Sequence, residues 1–278
     1  MRRRELAGHM QRAEGVSVNS YLAASPALAK GAGTVTKRID GVVCLGARNV
    51  DEPFLNRALG FGTIEEATPR LLERIERFYA AIGRPSRIAI ATGQVTNATL
   101  RVLERHGYAP VEGPTWDIYT YDRAAPPARM TVPGLTIERA GPKEAAVYSR
   151  VSHASFRERG PGFVTIVDAL VRYPRRGRRA YLGRIDGEPA ATGMVFDVRP
   201  VAALGNGTVL TKFRGRGLQK AMIAHRMRDA WTRGFRVFFG ETENPASAHN
   251  MEALGWRKVY EETDWERADP VRRTANRR

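Results

Sequence analysis

Residues 209–226 read VLTKFRGRGLQKAMIAHR, and the fold turns on how they are read. An apolar run ends at Leu210, a basic loop follows with Arg214, Gly215, Arg216 and Gly217, and an amphipathic helical pattern opens at once. The order is strand, phosphate loop, helix. Glycine lets the backbone turn tightly and approach a ligand, and the first N–H groups of a new helix have no partner within it. They point into the loop, where the helix dipole adds roughly half a positive charge. A pyrophosphate suits such a site, and Arg214 and Arg216 add charge-assisted donors. The loop lacks the third glycine and the acidic residue of a dinucleotide fold, and no Gly-Lys-Ser/Thr closes it as in a P-loop.

Downstream, residues 235–241 (FRVFFGE) form a second apolar strand pattern. Asn244 and Pro245 then start a short helix that runs to Leu254, and Gly255 and Trp256 end it before a last strand over 258–264. This order resembles the GCN5-related N-acetyltransferase (GNAT) family. The family signature, Arg/Gln-x-x-Gly-x-Gly/Ala, falls on Arg214, Gly217 and Gln219, where the last position departs from the usual small residue. The closing pattern, Asn-x-x-(Ala/Ser) and then Gly-aromatic, falls on Asn244, Ser247, Gly255 and Trp256. The run SAHNMEALGWRKVY is similar to the tandem GNAT proteins of bacteria, in which a degenerate copy comes first.

Upstream, the same sequence of elements is found a first time. Residues 34–47 read as two strands about an Asp40-Gly41 turn, 55–62 as a short helix, and 65–82 as a periodic helix with Leu71, Leu72, Ile75, Phe78, Tyr79 and Ile82 on one face. A strand over 87–91, a helix over 97–106, Gly107-Tyr108 and a strand over 115–121 follow. Helix, glycine, strand, helix, Gly-aromatic and strand recur at an offset of about 150 residues. Ahead of the first long helix stand Glu65 and Glu66, which suit a helix dipole and repel a pyrophosphate. The first copy is therefore expected to bind no cofactor. Pro126, Pro127 and Pro133 mark a linker. After it, 135–139 reads as a strand, 142–156 and 163–173 as helices broken by Gly160-Pro161-Gly162, and 180–185, 190–198 and 201–210 as strands. The expectation is an α/β (α+β) chain of two tandem GNAT-like domains, each a mixed, mostly antiparallel sheet flanked by helices. Its parts are a flexible basic arm over 1–15, a degenerate N-terminal domain over 16–123, a linker over 124–133, a catalytic domain over 134–268 and a basic tail over 269–278.

Composition narrows the partners. Hydrophobic content of 42% with 27% charged residues is that of an ordinary globular chain. No run of about 18 apolar residues stands ready to span a membrane. The net charge of +16 comes mostly from arginine and would speed encounter with an anionic ligand or partner: the phosphates of coenzyme A, an acidic carrier protein, an acidic peptide or nucleic acid. Nucleic acid is not expected, because Tyr173 is the one aromatic in the two densest basic clusters, 172–179 and the tail. Cys44 is the only cysteine, which fits a reducing cytoplasm, and its apolar surroundings (GVVCLG) read as a buried inert thiol. The histidines at 9, 106, 153, 225 and 249 show no metal-ligand spacing, so no metal is expected.

Acyl transfer to an amine needs the thioester held beside the amine, a route for the proton and stabilisation of the oxyanion. The resemblance implies acetyl-CoA or another acyl-CoA as donor, and an amine-bearing small molecule or peptide as acceptor. Family members acylate small amines, antibiotics and peptides of natural-product pathways. It also implies that the central strand around Val209 and Leu210 holds the pantetheine arm and bonds the thioester oxygen. Gly215, Arg216, Gly217 and Leu218 would take the phosphates with Lys212 and Arg214 as helpers, and Asn244, Ser247 and Asn250 would bond the cofactor from the second helix. Many members place a tyrosine as general acid seven residues after the asparagine; here that position is Met251. His249 and Tyr260 stand nearby, although His249 also fits a helix surface. Glu241 would deprotonate an ammonium directly or through water, or else balance local arginines. Two alternatives keep the same loop: a fatty acyl donor carried by an acyl carrier protein and given to a peptide amine, and a non-catalytic module that binds acyl-CoA or an acidic partner.

Overall fold

The computed structural model describes the backbone of residues 3–112, 115–155 and 160–267, so the basic tail expected over 269–278 lies outside the described residues. The chain divides into two compact units, Met1–Asn19 with Lys30–Asp117 and Tyr260–Arg278, and Ser20–Ala29 with Ile118–Val259. Each is a mixed, mostly antiparallel sheet flanked by helices.

The N-terminal unit opens with a helix, α1 (Arg3–Leu22), where an arm was expected over 1–15. Leu6, Ala7, Met10, Ala13 and Val18 recur at helical spacing and are buried. Gly15 lets the helix come close, since a Cβ there would lie 3.1 Å from Val43 Cγ1. A second helix, α2 (Pro26–Ala32), passes between the units in sequence. The strands β1 (Lys37–Ile39) and β2 (Val42–Cys44) form the expected hairpin, with Ile39 opposite Val42 and Asp40 at φ 51. The short helix expected over 55–62 is instead a 3-10 turn, Pro53–Leu55, and a strand, β3 (Ala58–Leu59). β3 runs parallel to β4 (Arg87–Ala91), with Leu59 opposite Ala89. Between them lies α3 (Pro69–Ala81), which starts four residues later than its apolar period suggested, because Thr68 caps it and Pro69 follows. α4 (Asn97–Arg105) and β5 (Tyr108–Pro110) follow. The core gathers Leu71, Leu72, Ile75, Phe78 and Tyr79 against Ile88, Ile90 and Trp265. Cys44 is buried within it, and burial, opposed by Lys37, pushes its thiol up to about 12.

The strand β6 (Trp116–Tyr121) leads into the C-terminal unit. Next come β7 (Leu135–Ala140), α5 (Ala145–Ser155) and α6 (Gly160–Arg172), which takes in the glycines expected to break the two helices. The antiparallel run β8 (Arg178–Ile185), β9 (Glu188–Val198) and β10 (Val201–Val209) is followed by α7 (Leu218–Thr232), β11 (Val237–Thr242) and α8 (Pro245–Ala253). The last strand is β12 (Arg257–Arg267). Strand order in the C-terminal unit is β6-β11-β10-β9-β8-β7. In the N-terminal unit it is β1-β2-β3-β4-β12, with β5 also on β12.

The closing strands thus depart from a linear division at 124–133. β12, expected to finish the C-terminal domain, pairs antiparallel with β4 from Glu262↔Ala91 to Glu266↔Arg87. β6, expected to finish the N-terminal one, supplies Tyr119 and Tyr121 to the C-terminal core, and Thr120 donates to the Phe238 carbonyl at 3.0 Å. Both strands are legible as alternating apolar runs; their partners are set by packing far along the chain.

Candidate functional site

The site is built where β10 leaves its neighbour. β10 pairs in parallel with β11 from Val201↔Val237 to Ala203↔Phe239, three residues in all. Beyond that pairing β11 continues to Thr242, while β10 follows β9 as far as Val209↔Ala191 through a bulge between Gly205 and Thr208. A slot opens between the two parallel strands. The Leu210 N–H donates to the Ala190 carbonyl at 2.9 Å, so the end of β10 stays tied to β9.

A 3-10 turn, Thr211–Phe213, then starts the loop, with Phe213 sunk into the core as its anchor. The Lys212 ammonium lies 5.0 Å and the Arg216 guanidinium 5.8 Å from the Phe213 ring, and Lys212 also pairs with Glu188. Arg214 folds back so that its Nε donates to the Val209 carbonyl at 3.3 Å. Gly215 and Gly217 take φ of 77° and 80°. A Cβ at Gly215 would meet nothing within 4 Å, and one at Gly217 only Val132 Cγ2 at 3.8 Å, so backbone conformation is what demands glycine there. Gly217 is the N-cap of α7 and no side chain caps the helix. The first intrahelical bond runs from Ala221 N to Gly217 O at 3.0 Å, so the N–H groups of Leu218, Gln219 and Lys220 face the loop without helical acceptors. Leu218 is buried and holds this end of α7 in the core, while Arg214 and Arg216 stand exposed.

The second helix meets the first at Gln219. Gln219 Nε2 donates to Ser247 Oγ at 2.9 Å, and Asn250 Nδ2 donates to Gln219 Oε1 at 2.9 Å. Asn244 caps α8, accepting from the N–H of Ala246 at 2.9 Å and of Ser247 at 3.3 Å. Gln219, Ser247 and Asn250 therefore hold α8 in place against the start of α7. The residue that departs from the small-residue signature supplies the tie.

The three residues singled out for proton transfer lie on three different elements. Glu241 is half-buried near the end of β11, and His249 is exposed on α8. Tyr260 is buried on β12 and belongs to the N-terminal unit. Met251, which holds the place of the family's tyrosine, packs into the core; a Cβ on Gly240 would lie 3.2 Å from its Cε. Among the described residues no cluster of three His, Cys, Asp or Glu side chains suits a metal ion, and no helix is long and apolar enough to cross a membrane.

Two polar residues in this unit escaped the sequence reading. Arg226 is 2% exposed under β9 and β10, where burial, opposed by the Tyr148 and Tyr181 phenols, pushes its guanidinium down to about 10. Its signal was an arginine four residues after Met222 on the apolar face of α7. Asn206 sits in the bulge, and its signal was Gly-Asn-Gly inside a strand pattern.

The fold is similar to that of solved GCN5-related N-acetyltransferases, a tandem GNAT protein among them. A GCN5-related N-acetyltransferase from Kribbella flavida matches with a TM-score of 0.60 at 20% identity, covering 90% of this chain and 96% of that one. A conserved protein of unknown function from Bacteroides thetaiotaomicron matches at 0.62 and 11% identity over 95% of each chain. A tandem GNAT protein from the clavulanic acid biosynthesis pathway matches at 0.53 and 16% identity, covering 72% of this chain and 70% of that one. No protein-family model matches the sequence, and no curated protein matches it either.

Proposed function

We propose that this chain is an acyl-CoA-dependent N-acyltransferase, acetyl by default, that acts on an amine of a small molecule or peptide. The observation that carries the reading is the uncapped N-terminus of α7, set behind two positive-φ glycines at the end of the strand that parts from β11. In this reading Gly215, Arg216, Gly217 and Leu218 take the pyrophosphate through backbone N–H groups, and Arg214 and Arg216 add charge. The pantetheine arm lies along β10 in the slot. The amine nitrogen forms a bond to the thioester carbon, the carbon–sulfur bond breaks, and the thiolate leaves. Glu241 takes the proton from the nitrogen, directly or through water, and solvent reprotonates the thiolate, since Met251 has no proton to give. Proximity in the slot contributes most of the rate.

Calorimetric titration with acetyl-CoA tests the loop, and thiol release with a panel of amines tests the reaction. The parent protein should bind, and Gly217→Glu should lose binding by more than about a hundredfold, because it puts a carboxylate and a strained φ at the phosphate position. A parent protein that does not bind acetyl-CoA refutes the reading.

A further inference from the structure

Asn206 is unused by the reaction as described, yet the fold goes to some length to place it. It stands between Gly205 and Gly207 at φ 51, a left-handed conformation that asparagine tolerates better than most residues. In regular alternation it would share a face with Ala202 and Leu204, whose side chains join the core with α7. The bulge brings it to α5 instead, where Ser152 Oγ donates to Asn206 Oδ1 at 2.8 Å.

The bulge is also held from the other helix. Arg226 Nη1 donates to the carbonyls of Gly205 at 3.1 Å and Met194 at 3.0 Å, and its Nε donates to Met222 O at 3.1 Å. Gly193 makes room for the guanidinium, because a Cβ there would lie 2.6 Å from Arg226 Cζ. Thr192 and Thr208 fix the outgoing strand through a 2.6 Å bond between their hydroxyls.

With one end of its amide anchored, Asn206 presents the other. Its Nδ2 is buried without a hydrogen-bond partner among the described residues, on a side chain 9% exposed. Leaving a donor in that state is costly, and such groups call for an explanation. Asn206 lies three residues past Ala203, where the pairing with β11 ends, and so on the stretch of β10 that β11 leaves unpaired. At about 3.3 Å per residue it is roughly 13 Å along β10 from Leu210, in the direction taken by an extended arm whose phosphates sit at α7.

We propose that the Asn206 side-chain amide donates a hydrogen bond to the acyl oxygen of the donor substrate, with Ser152 and Arg226 as positioning residues. This rests on the acyl-CoA reading above. The contact grows stronger as negative charge develops on that oxygen, and the amide keeps its proton throughout.

The test compares acetyl-CoA with CoA, which lacks the acyl oxygen, in calorimetric titrations of the parent, Asn206→Gly, Asn206→Asp and Ser152→Ala. Glycine and aspartate both accept the positive φ, so two routes to a folded variant exist, and circular dichroism verifies each. The parent should prefer acetyl-CoA by about threefold to tenfold, the worth of one such bond. That preference should vanish in Asn206→Gly, reverse in Asn206→Asp and shrink in Ser152→Ala, while CoA affinity stays at the parental value. A parent that binds both ligands alike overturns the inference and leaves the function standing, as does an Asn206→Gly variant that keeps the preference or weakens both ligands equally. A parent that binds neither ligand refutes both proposals.

Discussion

In the N-terminal unit α3 begins with a side-chain cap: Thr68 accepts from Leu71 N, and Pro69 has no N–H to offer. In the C-terminal unit α7 begins at a glycine with no side chain on its N–H groups. The parallel strand pairs differ in the same sense. β3 ends at Leu59 opposite Ala89, and beyond it the Ala89 carbonyl is taken by Gln11 Nε2 of α1 at 3.1 Å. Thr63 then donates to Gln11 Oε1, and Gln11 Nε2 also reaches Glu262 at 3.0 Å. Behind Gln11, Arg57 pairs with Glu14, Glu262 and Asp264 in a buried cluster where burial raises the Glu262 carboxyl against the pull of Arg57. One supersecondary plan thus leaves the helix start bare past an unpaired strand end in one unit, and in the other caps the helix and places Gln11 of α1 on the strand. In the proposed reading only the first takes an anion.

Variants at matched positions sharpen that contrast. Arg57→Met strands two buried carboxylates and should cost about 3–5 kcal/mol in urea unfolding, while the acetyl-CoA dissociation constant of the folded protein stays as it was. Arg216→Ala should leave stability unchanged within error and weaken acetyl-CoA about tenfold by calorimetry, the loss of one charge-assisted contact to phosphate. Thr68→Ala should cost about 1 kcal/mol of stability and nothing in affinity, because its cap serves only α3. A shift in acetyl-CoA affinity on changing Arg57 or Thr68 would break the division of labour between the units.

Local chemistry carried much of this into the sequence. The Asp40-Gly41 hairpin, the apolar face of α3, and the Gly215 and Gly217 turn into α7 each rest on residues within a few positions of one another. What escaped depends on partners distant in sequence. The glycines of α1 lower its helix propensity, yet Gly15 is what lets it close on Val43. The alternation of β12 announced a strand without announcing that β4 would be its neighbour. The second-helix side chains at Ser247 and Asn250 pointed toward a ligand by pattern, whereas Gln219 engages both. Asn206 and Arg226 were visible only as polar residues in apolar company, and their meaning came with the bulge.

Hydrogen–deuterium exchange with and without saturating acetyl-CoA tests most directly the claim that one unit is open and the other sealed. Backbone amides over 210–222 should gain protection, and those over 58–72 should exchange alike in both states. Protection over 58–72, or none over 210–222 in a protein that binds the ligand, would contradict the account.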